Sequence, residues 1–160
     1  MAPNGGKKRG KQQKKWALYP DLHEAVTTKL EQDGIVLDFN HADDEDCLKH
    51  HNTNIKGRFL CRNNKCSNNG WGSSKIAVTI RLYKGSSYNA RVYYQRCRGC
   101  NGRSKPFLDS SYADRVVYRM RKWHGREVVE RLPGDARKGP PHEGGLCEGC
   151  IAGVCAGGGS

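Results

Sequence analysis

Two stretches of strict alternation give the clearest pattern in the chain. Ile76, Val78, Ile80 and Leu82 alternate with Lys75, Ala77, Thr79, Arg81 and Tyr83; after Gly85-Ser86-Ser87 the chain resumes with Tyr88, Ala90, Val92 and Tyr94 against Asn89, Arg91, Tyr93 and Gln95. A period of two on both sides of a Gly/Ser turn predicts an antiparallel β-hairpin with one buried face. The other face then carries Arg81, Tyr83, Arg91 and Tyr93. Helical spacing occurs twice. From Pro20 to Gly34, Leu22, Ala25, Val26 and Leu30 share one side, with proline in the first turn and glycine at the C-cap. From Ser111 to Trp123, Tyr112, Val116, Met120 and Trp123 form a stripe, Ser111-x-x-Asp114 reads as a capping box, and Gly125 suits the end. Ile35–Phe39 reads as a short strand, and Val128-Val129 as the start of a short strand or turn.

The segments between are polar. Met1–Lys15 holds six positive charges, no acids and three glycines, the composition of a disordered basic arm. His41–Cys47 is an acidic loop whose Asp43, Asp44, Glu45 and Asp46 lack calcium-loop spacing and read as a solvated charge run. Leu132–Gly145, with three prolines and four glycines, reads as a linker. The expected organisation is an arm over 1–15, a helix and acidic loop over 16–52, one domain over 53–157 and a flexible tail over 158–160.

Mean hydropathy is −0.83 and only 36% of residues are apolar, so a conventional core would be thin and something else is expected to help hold the fold. No run of 18 apolar residues is present to span a membrane. The basic N-terminus is followed by no apolar segment, unlike a secretory signal, so an intracellular location, cytoplasm or nucleus, is expected. Lys and Arg number 28 against 16 Asp and Glu, a net charge of +12. That balance favours a polyanionic partner. Between Lys49 and Lys105 there are thirteen Lys or Arg and no acid.

Seven of the eight cysteines fall into three groups: Cys61-x4-Cys66, Cys97-x2-Cys100, and His142-x4-Cys147-x2-Cys150-x4-Cys155. In a reducing compartment, paired thiols in Gly- and Asn-containing turns read as zinc ligands before disulfides. Seven sulfurs and one imidazole fill two four-coordinate sites with no open position, which marks structural rather than catalytic zinc. Hairpin geometry suggests that Cys61, Cys66, Cys97 and Cys100 share one ion and His142, Cys147, Cys150 and Cys155 the other. A crossed arrangement satisfies the same spacing. Cys97-x2-Cys100 lacks the βαβ setting of a redox pair, and Cys47 matches no group, so it reads as a free thiol. His23, His41, His50, His51 and His124 lack ligand spacing. The expected architecture is a small α+β fold: a zinc-stabilised antiparallel hairpin or ribbon with flanking helices and two structural zinc sites.

The motifs FLC and WGSSKIAV (Phe59–Val78), VYYQRCRGC (Val92–Cys100), the helix ending at Trp123, and PHEGGLCEGCIAGVC (Pro141–Cys155) resemble the 3CxxC-type zinc-finger domain, known from fungal, zygote-arrest and receptor-transporting proteins. The resemblance covers about residues 53–157, and the short N-terminal helix and basic arm look most like the fungal branch. It implies zinc on the eight residues above. It departs in the first pair, spaced by four residues instead of two. Zygote-arrest proteins, similar in this domain, bind messenger RNA. Receptor-transporting proteins use theirs beside a membrane anchor to escort receptors.

Two function classes follow. The first is a nucleic-acid-binding module, RNA favoured, in which Arg81, Arg91, Arg96, Arg98 and Arg103 contact phosphates and Tyr83 and Tyr93 stack on unpaired bases. Trp71 could stack as well, but packing against the zinc knuckle suits it better. The second is a protein-interaction adaptor or trafficking chaperone presenting the Ser111–Trp123 helix or the acidic loop. An enzyme is not expected: His142-Glu143 beside Cys147-x2-Cys150 has the wrong spacing for a zinc deaminase, and no nucleophile–base set or phosphate loop appears.

Overall fold

The computed structural model describes residues 14–128 and 142–155. The expected basic arm up to residue 13, Val129, residues 132–141 of the expected Leu132–Gly145 linker and the glycine tail from 156 lie outside the described residues; the end of that linker enters a 3₁₀ turn at Gly144–Leu146. The hairpin forms as expected: β4 (Trp71–Tyr83) turns through Gly85 and Ser86, both at positive φ, into β5 (Ser87–Tyr93). Val78 faces Val92, Ile80 faces Ala90 and Leu82 faces Tyr88, so the apolar sets of both strands meet on one face. Around this pair a six-stranded sheet assembles. β3 (Lys49–Phe59) runs antiparallel to β4 on the far side from β5. β1 (Trp16–Ala17) pairs with Tyr93 and Val92 of β5. β2 (Asp38–Phe39), the surviving part of the Ile35–Phe39 expectation, pairs parallel with Ser87 and Tyr88. A separate two-stranded ribbon joins β6 (Gln95–Arg96) to β7 (Arg103–Ser104), and β8 (Phe107–Leu108) pairs with Gly57 and Arg58 of β3. β3 crosses the expected boundary at 52/53, so the N-terminal segments and the cysteine-bearing segments share one sheet.

Helices cover one face of it. The Pro20–Gly34 helix is α1 (His23–Leu30) flanked by 3₁₀ turns at Pro20–Leu22 and Glu31–Asp33, and Gly34 closes it at φ 68°. α2 (Ser111–Trp123) ends at Gly125, φ 73°. Ile55, Phe59, Ile76, Val78, Ile80, Tyr88, Ala90 and Val92 pack there against Val26, Leu30, Tyr112, Val116 and Met120, part of a core of eighteen buried residues. That core is fuller than the composition suggests, because the arm, linker and tail dilute the average. The Ser111 capping box does not form. Ser111 Oγ instead accepts the Lys56 N–H at 2.8 Å, and Asp109 Oδ1 accepts the Ser111 N–H at 2.8 Å. The helix start is thus pinned to β3 near its bulge between Ile55 and Gly57.

The opposite face is covered as well, which corrects the expectation that Arg81, Tyr83, Arg91 and Tyr93 lie open to contact phosphates and bases. Tyr83, Arg91 and Tyr93 are at most 6% exposed. The acidic loop folds over them. Asn40 Oδ1 accepts the N–H of Ala42 and Asp43, turning the chain back. Asp43 and Glu45 then reach Arg91 at 2.8 and 2.9 Å. Tyr83 donates to the Asp44 carbonyl at 2.7 Å, and the Trp16 indole N–H to Asp43 at 3.0 Å. The Arg91 guanidinium lies 4.4 Å from the centre of the Trp16 ring, which also packs on Tyr93. Two of the loop's four acids, Asp43 and Glu45, thus pair with the strand's arginines. Among the described residues no helix is long and apolar enough to cross a membrane.

Candidate metal centres

Cys61 and Cys66 sit in the connection between β3 and β4, Cys97 and Cys100 in the turn of the β6–β7 ribbon. Each knuckle is shaped by its own backbone. The Cys66 N–H bonds the Asn63 carbonyl at 2.9 Å; the Cys97 N–H bonds Gly102 at 2.8 Å, with Asn101 at φ 63°. The four sulfurs gather within 4.8 Å of one another. A tetrahedral zinc with bonds of about 2.3 Å needs sulfurs about 3.8 Å apart. Cys61 lies 3.6 Å from Cys100, and Cys66 3.7 Å from Cys97.

The second quartet lies on the other side of the sheet from the helices. The Gly144–Leu146 turn leads into α3 (Glu148–Ile151), a single turn whose Cys147 sulfur accepts the Cys150 N–H at 3.4 Å. Cys147 bridges to Gln95, and the Glu148 N–H bonds the Tyr94 carbonyl at 3.0 Å, which docks the turn on the sheet. His142 Nε2 lies 3.4 Å from Cys150 Sγ and 3.6 Å from Cys155 Sγ. Zinc held at about 2.3 Å by sulfur and 2.0–2.1 Å by nitrogen requires about 3.6 Å. This centre has a small core of its own, with Cys147, Ala77 and Tyr93 buried and Trp16, Cys150, Val154 and Cys155 packed against them. The pairing left open by spacing is therefore resolved: the crossed arrangement is not adopted.

The surroundings suit thiolates. Asn68 Nδ2 and the Gly99 N–H each donate to Cys97 Sγ at 3.3 Å, and Asn54 Nδ2 donates to Cys155 Sγ at 3.5 Å. Burial opposes ionisation of Cys97, yet the N–H groups of Cys100 and Gly99 outweigh it and bring the thiol down to about 6. At Cys61 the Asn63 amide favours the thiolate, but lost solvation and the neighbouring sulfurs push it up to about 12. Cys155 and burial likewise push Cys147 up. Four crowded sulfurs cannot all ionise alone. A divalent cation at their centre removes that conflict.

A family model described as a zinc-binding domain, the 3CxxC zinc ribbon, matches residues 54–153. The chain belongs to the 3CxxC zinc-ribbon family. No curated protein and no solved structure matches it. Within this zinc-ribbon chain, Cys61, Cys66, Cys97 and Cys100 would hold one structural zinc ion and His142, Cys147, Cys150 and Cys155 a second. Bound zinc supplies a rigid four-way crosslink, and both donor sets fill four positions. Cys47 stands outside both quartets.

The cations assigned to a ligand have other employment. Arg81 and Arg91 hold the acidic loop. Arg96 and Arg103 both donate to Glu148 Oε2, at 2.5 and 2.7 Å. Arg98 pairs with Glu143, yet its side chain stays 70% exposed. Glu148, fully buried as a side chain, was not legible as a functional residue. Its one signal is an acid placed inside Cys147-x2-Cys150.

Proposed function

We propose that this zinc-ribbon protein is an intracellular, non-enzymatic nucleic-acid-binding module of the cytoplasm or nucleus, with RNA the favoured ligand. The observation that carries the reading is the basic surface left once internal pairing is accounted for. The acidic loop engages Arg81 and Arg91, and Glu148 engages Arg96 and Arg103. Arg58, Arg62, Lys65, Lys75 and Lys105 remain exposed on or near the segments that carry the first zinc centre. Zinc crosslinks hold these short knuckles in place, so their charges form a fixed array rather than a mobile tail. Fluorescence anisotropy of a labelled RNA with zinc-loaded protein tests it. Binding should weaken with salt at a log–log slope of about −0.7 per phosphate contact; no retention at low salt overturns it.

An adaptor or trafficking-chaperone role is the alternative. Val36 and Leu48 favour it: they are 82% and 62% exposed and lie on segments bonded to the turn end of the hairpin. A protein partner retained after nuclease treatment and lost on Val36→Ser with Leu48→Ser would support it.

A further inference from the structure

Between the two metal centres runs a groove of about 940 Å³. Its floor is the end of β3 and β4 where Phe59 pairs with Trp71; β8 walls one side and the turn from His142 to Leu146 the other. Gly57 lets β8 approach, since a Cβ there would lie 2.5 Å from the Phe107 carbonyl. Five cations line the groove, Lys56, Arg58, Lys75, Arg96 and Arg98, against two carboxylates. Arg98 is paired with Glu143 and Arg96 with Glu148, which leaves Lys56, Arg58 and Lys75 against Asp109, whose Oδ1 accepts the Ser111 N–H. The surplus is positive and open to solvent.

Two aromatic rings share this groove with the cations. Trp71 stacks one face on Phe59, at 4.9 Å and 12° between planes, and Gln95 Oε1 holds its indole N–H at 3.0 Å. Its orientation is therefore fixed before any ligand arrives. Phe107 is 57% exposed, an expense that packing within the chain does not explain. Cations set among presented rings match a strand whose phosphates and unpaired bases alternate. A duplex hides its base faces, and an acidic peptide would use the charges and leave the rings idle.

The geometry points to this groove, not the hairpin's loop-covered face, as the binding site for single-stranded nucleic acid. Phosphates lie on Arg58 and Lys75, and bases lie against Trp71 and Phe107. This rests on the module reading above and gives it a location.

The test uses full-length zinc-loaded protein and a fluorescein-labelled twelve-nucleotide oligouridine, read by anisotropy at several salt concentrations. Arg58→Glu with Lys75→Glu alters the groove. Lys49→Glu with Lys84→Glu applies the same charge change at the opposite end of β3 and β4, where both side chains are exposed. The groove pair should lose at least roughly ten-fold in affinity, and its salt slope should fall by about 1.4 for two lost contacts. The control pair should stay within about three-fold, as expected for a charge several Debye lengths from the ligand. Phe107→Ala should cost roughly five-fold or more, without changing the slope. Equal losses in both pairs would overturn the groove while leaving the module reading intact. Binding of polyglutamate that competes with the oligonucleotide at equal affinity would assign the groove to acidic peptides and overturn it. Failure of the unaltered protein to bind any RNA would overturn both readings.

Discussion

The Glu148 carboxylate accepts a hydrogen bond from the Arg96 guanidinium at 2.5 Å, across the gap between the two zinc centres. Arg96 immediately precedes Cys97 of the first centre, and Glu148 immediately follows Cys147 of the second. Arg103 reaches the same oxygen from the other strand of the ribbon at 2.7 Å. Burial would raise the Glu148 pKa, but the two arginines outweigh it and hold the carboxyl below its usual range.

Breaking this link should be costly. Glu148→Ala leaves two partly buried guanidiniums without their carboxylate and is expected to lose roughly 3–5 kcal/mol of stability. Glu148→Gln keeps the shape and should lose less. Chemical denaturation gives the energies, and chelator-driven zinc release should quicken at the second centre in both variants. Unchanged release would mean that the carboxylate does not couple the centres.

Zinc stoichiometry should be two, and Cys97→Ser and Cys147→Ser should each remove one ion in native mass spectra. Structural zinc in small domains contributes roughly 10–16 kcal/mol. Here the sheet–helix core holds no ligand, so chelation should release the knuckles and leave that core folded. Hydrogen exchange after chelation should accelerate over the knuckles, residues 60–70, 97–102 and 142–155, while β4, β5 and α2 stay protected. Uniform loss of protection would contradict this.

Gly149 marks a close approach: a Cβ there would lie 2.3 Å from the Ala77 Cβ on β4. Gly149→Ala should push the second knuckle off the sheet at a cost of roughly 1–3 kcal/mol and weaken zinc retention at that site. Adding Ala77→Gly should recover most of the loss. A double variant no better than the single one would place the strain elsewhere.

The acidic loop occupies Arg91 and Arg81 as a phosphate would. Asp43→Asn with Glu45→Gln should destabilise the fold by leaving buried Arg91 underpaired. It should also raise RNA affinity and steepen the salt slope by about 0.7 for each arginine that gains a phosphate. Anisotropy titrations against the unaltered protein measure both; an unchanged slope would show that the loop stays closed.

His51 Nε2 accepts a hydrogen bond from Arg119 at 2.9 Å, which requires a neutral ring. Burial first, then the Arg119 charge, lowers its pKa. A histidine with a lowered native pKa leaves stability intact above the unfolded value. As pH falls below that value, about 6.5, the unfolded chain takes up a proton that the native chain refuses, so stability drops. Unfolding free energies of zinc-loaded protein and His51→Gln, compared from pH 7.5 to pH 5.5, should show the shallower dependence in the variant. Thiol protonation is common to both and cancels.

Much of this was written locally in the chain. The hairpin follows from alternation between Lys75 and Gln95, the helix ends from Gly34 and Gly125, and the zinc ligands from cysteine spacing. What was hidden depends on partners far apart in sequence. β3, Lys-His-His-Asn-Thr-Asn at its start, lacks a clean period of two because its sides meet helices on one face and a zinc knuckle on the other. The covering of Arg91 by Asp43 joins residues 48 apart, and Arg96 meets Glu148 across 52. A run of acids looks the same in sequence whether it is solvated or folded onto a basic face. Ser111 misled for a similar reason: its hydroxyl had a better partner on another strand.

The short segments Trp16–Ala17 and Asp38–Phe39 both flank the outer side of β5 and seal its two ends. Among the described residues, β3 is sealed by β8 only at Gly57 and Arg58, and its remaining length opens with exposed Lys49 and His50 and closes in a bulge. A foreign strand seeking to zip onto this sheet would meet a capped border on one flank and a charged, kinked one on the other. Capped ends, a charged start and a bulge are the features that keep sheet edges from pairing with other chains.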